Sequence, residues 1–135
     1  MDPKPILDDL VRRFFLAFSR NEQGELDLDV IYDLFIPQGL IIKNVGPKPE
    51  IMNVQQFVEP RKTLLGGGGL EAFTEEELWE RTEIFGGIAQ RFCRYRKAGL
   101  LNGTPFQAEG MKTIQFVRAI DGWRMSALSW DDEPS

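Results

Sequence analysis

The stretch from Gly110 to Trp130, GMKTIQFVRAIDGWRMSALSW, constrains the fold of this chain more than any other. Apolar and polar residues alternate on either side of Asp121-Gly122, the pattern of two antiparallel strands joined by a tight turn. A bulge at Gly122 places Thr113, Gln115, Val117, Trp123, Met125, Ala127 and Ser129 on one face. Ile114, Phe116, Ser126, Leu128 and Trp130 then share the other. Both faces carry large apolar groups, so both need cover: helices on one side and a second subunit on the other.

Upstream, Leu7, Leu10, Val11, Phe14 and Phe18 recur at three- and four-residue spacing and predict an amphipathic helix that begins at Pro3. Val30, Ile31, Leu34 and Phe35 predict a shorter helix that Pro37 ends. The segment from Gly39 to Gly46 reads as a strand. A third helix follows, capped by Asn53, with a kink or restart expected at Pro60. Residues 74–85 are locally ambiguous. Thr74 and Glu77 make a capping-box pattern that slightly favours helix, whereas a strand would align Trp79, Arg81, Glu83 and Phe85 on one face. Ile88 to Arg96 reads as a strand, and Lys97 to Phe106 as a connection rich in turn residues.

A length of 135 residues suits a single domain, 1–135. The net charge of −5 argues against a nucleic-acid partner, which requires a basic stripe, and no apolar run approaches the span of a bilayer. One cysteine, Cys93, and an acidic N-terminal segment suit a reducing cytoplasm. The chain has no histidine, which removes serine–histidine and cysteine–histidine relays and most zinc or iron sites. Gly66 to Gly69 lacks the Gly-Lys-Ser/Thr of a phosphate loop and reads as a connector. No cofactor and no metal is assigned. The closing Asp131, Asp132 and Glu133 read as a strand stop, because neighbouring strand residues face opposite ways and cannot form a close carboxylate pair.

Helices first, then long antiparallel strands ending in DGWRMSALSW, resemble the nuclear-transport-factor-2-like superfamily, which includes ketosteroid isomerase and the SnoaL-like cyclases. The segments FGGIAQRFCRYR and GMKTIQFVRAIDGWRMSALSWDDE are most similar to its uncharacterised bacterial members. The resemblance implies an α+β roll of the cystatin-like type, a cone-shaped curved antiparallel sheet wrapped around the N-terminal helices. It makes 74–85 a strand. It also implies a conical pocket on one sheet face and a homodimer through the other. Trp79, Arg81, Glu83, Arg91, Tyr95, Thr113, Gln115, Trp123, Met125 and Ser129 become pocket candidates. Phe92, Ile114, Phe116, Leu128 and Trp130 become dimer candidates. The ketosteroid isomerase machinery does not carry over: its base falls on Lys43, MKTIQFVR holds no carboxylate, and the first helix offers Phe14 and Phe15 where a tyrosine is required.

Two functions follow as expectations. One is a small-molecule-binding protein, which could be an enzyme acting on a small hydrophobic carbonyl or carboxylate compound. The other is a non-catalytic dimeric interaction or carrier domain whose cone is filled by its own aromatic residues.

Overall fold

In the computed structural model, which describes residues 2–134, the first apolar stripe forms helix α1, Lys4–Leu16, with Leu7, Leu10, Val11, Phe14 and Phe15 buried. Helix α2 is Val30–Leu34 and helix α3 is Val54–Gly66. Asn53 and Gln56 form a reciprocal capping box that satisfies the first free amides of α3. Helix α3 continues through Pro60 without the restart that was one expectation there. One missing amide is tolerated there because Phe57, Val58 and Leu65 anchor the helix on either side of it.

Six strands follow the remaining alternations: β1 Phe35–Lys43, β2 Glu50–Asn53, β3 Leu70–Phe85, β4 Ile88–Leu101, β5 Thr104–Ala119 and β6 Gly122–Asp132. They form one curved, unclosed sheet in the order β2-β1-β6-β5-β4-β3, antiparallel except where β1 runs parallel to β6. Residues 74–85 are strand, as the resemblance implies and against the local capping-box signal. The expected connection at 97–106 shrinks to Asn102-Gly103. Both have positive φ, 50° and 81°, which suits the two-residue turn of a hairpin. An Asn-Gly pair between alternating strands was the available signal for it.

The bulge of the last hairpin is displaced from Gly122. Ala119 pairs with Gly122, Phe116 with Met125, and the register shifts between Phe116 and Gln115, leaving Ser126 as the extra residue. Gln115–Ala127 and Thr113–Ser129 pair as expected. Beyond the bulge, Met125 and Trp123 swing to the face of Phe116, where they are buried. Helices α1 and α3 pack against that concave face: Phe14 lies 6.1 Å from Phe57, and Phe57 lies 5.9 Å from Trp130 on β6. Among the described residues, no helix is long and apolar enough to cross a membrane.

Candidate functional site

The helices do not fill the concave face completely. Between them and one end of the sheet lies a cavity of about 340 Å³. Phe14 of α1, Phe18 just beyond it, Phe57, Arg61 and Leu65 of α3, and Trp130 of β6 supply its walls, and Phe73, Leu101 and Phe106 its outer lip. Into this apolar space the strands project Lys43, Glu75, Lys97 and Lys112. An apolar cavity with a few converging polar groups is the usual form of a small-ligand site.

Lys112 is the most unusual of these groups. Its side chain is 4% exposed and its Nζ lies 3.0 Å from the carboxylate of Glu75, whose side chain is 6% exposed. The same ammonium stands 4.3 Å from the ring of Tyr95 and 5.1 Å from that of Trp130, with Phe14 and Phe15 within 6 Å. Aromatic faces recover part of the lost hydration of the cation, and Glu75 compensates its charge. Sequence reasoning missed both residues. The signal for Lys112 was its phase: it alternates with Ile114 and Phe116, so any register that buries them buries it.

A second polar row crosses the sheet beside the first. Tyr95, Gly110 and Asp132 are direct partners on β4, β5 and β6. The Tyr95 ring lies over Gly110, and its hydroxyl donates to Asp132, which also pairs with Lys97 at 3.0 Å. Burial, and then the hydrogen bond to Asp132, raise the Tyr95 hydroxyl far above the usual phenol range, so it stays a donor. The acidic end of the chain is therefore more than a stop. Asp131 is exposed, whereas Asp132 faces inward, as alternation requires.

Arg61 closes the site from the helix side. Its guanidinium stacks 4.0 Å from the Phe57 ring, lies 5.8 Å from that of Trp130 and donates to the Phe57 carbonyl at 3.0 Å. Burial lowers its pKa from the usual arginine value. Among the described residues neither Arg61 nor Lys43 has a carboxylate at ion-pair distance, whereas Lys97 and Lys112 each do. Among the described residues the site therefore has two cations outside any close ion pair, although Glu50 and Glu75 attract Arg61 from further away.

On β3, β5 and the end of β6 the sheet faces are reversed from the sequence expectation, whereas the candidates Arg91, Tyr95, Trp123 and Met125 do point inward. Thr113, Gln115 and Ser129 lie on the convex face, as do Trp79, Arg81 and Glu83, whose strand partners are Arg94, Phe92 and Gln90. Arg81, Glu83, Thr113 and Gln115 do converge, but around a depression of about 120 Å³ on that outer face, away from the cavity. Ile114, Phe116, Leu128 and Trp130, expected at a subunit interface, are at most 8% exposed within the chain and face the helices. Of the five dimer candidates only Phe92 reaches the exposed convex face, beside Trp79 at 6.2 Å. Alternation defines two sets of residues but not which set faces inward. Cys93 is fully buried, and burial pushes its thiol up to about 12, so it is no nucleophile.

Arg91 points inward without lining the cavity. It holds Glu77 through two nitrogens, at 2.6 and 3.1 Å, and Asp8 of α1 at 2.6 Å, and so ties the first helix to the sheet. Burial opposes ionisation of Asp8 and Glu80. Hydrogen bonds from Arg91 and Lys4 to Asp8, and from Lys4 and Thr82 to Glu80, outweigh it and leave both pKa values lowered. A lowered carboxylate stabilises the fold fully above its unfolded pKa, near 4, and progressively less as pH falls through the folded value. Stability should thus decline below about pH 4. Asp8→Asn should flatten that decline in denaturant titrations across pH; an unchanged acid limb would place the titration elsewhere.

No protein-family model matches the chain, and no curated protein does. Solved structures do match. A nuclear transport factor 2-like superfamily protein of Salmonella enterica serovar Typhimurium superposes with a TM-score of 0.78 at 15% identity, over 98% of this chain and 92% of the other. A Kribbella flavida protein gives 0.78 at 15% identity, over 97% and 90% of the two chains. An uncharacterised Caulobacter vibrioides protein with a cystatin-like fold gives 0.75 at 16%, over 97% and 89%. The chain thus has the nuclear-transport-factor-2-like, cystatin-like α+β fold.

Proposed function

We propose that this nuclear-transport-factor-2-like fold serves as a small-molecule-binding protein whose ligand is a hydrophobic anion, most simply a carboxylate with an apolar body. The observation that carries the reading is an apolar cavity of about 340 Å³ bordered by two cations, Arg61 and Lys43, that have no carboxylate at ion-pair distance among the described residues. The apolar body would lie against Phe14, Phe57 and Trp130, and the carboxylate would meet the flat guanidinium of Arg61, whose fork of donors matches two carboxylate oxygens. Open space of this size favours a bound ligand over a cone filled by its own side chains.

Titration calorimetry with decanoate tests the reading. Binding should be measurable and Arg61→Ala should weaken it about tenfold, the loss expected when one charge-assisted contact worth ~1.5 kcal/mol is removed. Unchanged affinity in Arg61→Ala would remove Arg61 from the site, and no binding to the parent protein would remove the carboxylate ligand.

We further infer that a second copy covers the convex face. Trp79, Phe85, Ile88 and Phe92 expose apolar surface there, beside Arg81 and Glu83, whose opposite charges can pair across a twofold axis. Native mass spectrometry reads both proposals at once: a dimer supports the second, retained ligand mass supports the first, and a bare monomer counts against both.

A further inference from the structure

We propose that Lys112 is a catalytic amine that forms an imine with the carbonyl of an oxo-carboxylate, with Glu75 carrying the protons. This rests on the carboxylate pocket just described and assigns it a reaction. The geometry supplies three requirements of such a centre. The amine lines the cavity that would hold the ligand. It is shielded from bulk water, with a side chain 4% exposed, which favours a dehydration and protects the imine from hydrolysis. A single carboxylate, Glu75, stands 3.0 Å from its Nζ and is equally buried, within reach for proton transfer. Lys97 also lines the cavity, but it is more exposed and its partner Asp132 is already engaged by the Tyr95 hydroxyl.

Lys112 and Arg61 both approach the Trp130 ring, at 5.1 and 5.8 Å from its centroid. A ligand lying against Trp130 would be within reach of both cations. That arrangement selects a carbonyl separated from its carboxylate by a few bonds: Arg61 takes the carboxylate, and the carbonyl carbon reaches Lys112.

The step balances without any further reagent. Glu75 takes a proton from the ammonium, and the freed amine attacks the carbonyl carbon, forming the C–N bond as the C–O π pair moves to oxygen. The nitrogen proton passes to that oxygen, giving a carbinolamine. Glu75 returns its proton to the hydroxyl, which leaves as water while the nitrogen lone pair forms the C=N bond. The net change is ammonium plus ketone to iminium plus water, with Glu75 again ionised. The iminium draws electrons from its neighbouring carbons, so bond cleavage or proton loss beside the former carbonyl is the chemistry it serves.

The test incubates the full chain with γ-oxodecanoate and cyanoborohydride, which reduces an imine to a stable amine, and locates the added mass by peptide mass spectrometry. Decanoate, which lacks the ketone, measures pocket binding in parallel. The expected result is stoichiometric addition at Lys112, blocked by excess decanoate and lost in Lys112→Arg, which keeps the charge opposite Glu75. Glu75→Gln should slow trapping at least tenfold while decanoate still binds. Addition confined to Lys97 or to exposed lysines overturns the proposal. Decanoate binding without addition at Lys112 overturns it and leaves the pocket standing, whereas failure of decanoate to bind overturns both readings.

Discussion

Glu75→Leu should destabilise the fold by about 3–5 kcal/mol, the typical loss when one partner of a buried ion pair is removed. Both side chains are almost fully enclosed, at 6% and 4% exposure, so solvent screening does not reduce the effect. The loss would come from stranding the Lys112 charge among Phe14, Phe15, Tyr95 and Trp130 more than from losing attraction. Adding Lys112→Met should therefore restore most of the stability, because a well-packed apolar pair often matches or exceeds a buried salt bridge. Denaturant unfolding of the two single variants and the double variant reads this directly. A double variant as unstable as Glu75→Leu would show that the loss is one of packing volume and not of charge. A full rescue of stability with loss of imine trapping would mean that the pair is kept for its chemistry.

The second large effect is expected at Gly110. A Cβ there would overlap the carbonyl oxygen of Asp131 and the hydroxyl of Tyr95. The first obstacle is backbone and cannot turn aside, and the second is held by its hydrogen bond to Asp132. Gly110→Ala should cost about 3 kcal/mol, at the upper end for overpacking in a core. Tyr95→Phe in the same background should recover only part of this, since it removes the hydroxyl but not the strand. A loss below about 1 kcal/mol would show that β5 and β6 separate easily at this point.

These two positions also mark where sequence reasoning reached and where it stopped. The stripe of α1, the Asn53 cap and the last two strands were legible because helical and strand periods are local properties. Trp79, Arg81, Glu83 and Phe85 do share one strand face, as alternation requires. The Asn102-Gly103 turn was readable but was absorbed into a longer connection. The capping-box pattern at Thr74 and Glu77 misled, because pairing along the full length of β4 outweighs a local helical preference.

By itself, the sequence determined the strand alternation and the helix faces, and on the C-terminal hairpin the grouping of residues up to the bulge. Only the tertiary structure decided which set turned inward. The bulge at Ser126 carried Trp123 and Met125 across to the core, and a bulge position depends on the partner strand as much as on its own residues. The site itself was the least legible part. Lys112 can be buried only because Glu75, two strands away on β3, meets it there. Tyr95 reaches Asp132 only because Gly110 leaves the space between them open. Burying a charge or a hydroxyl is a contract between distant segments, and no local pattern records the partner.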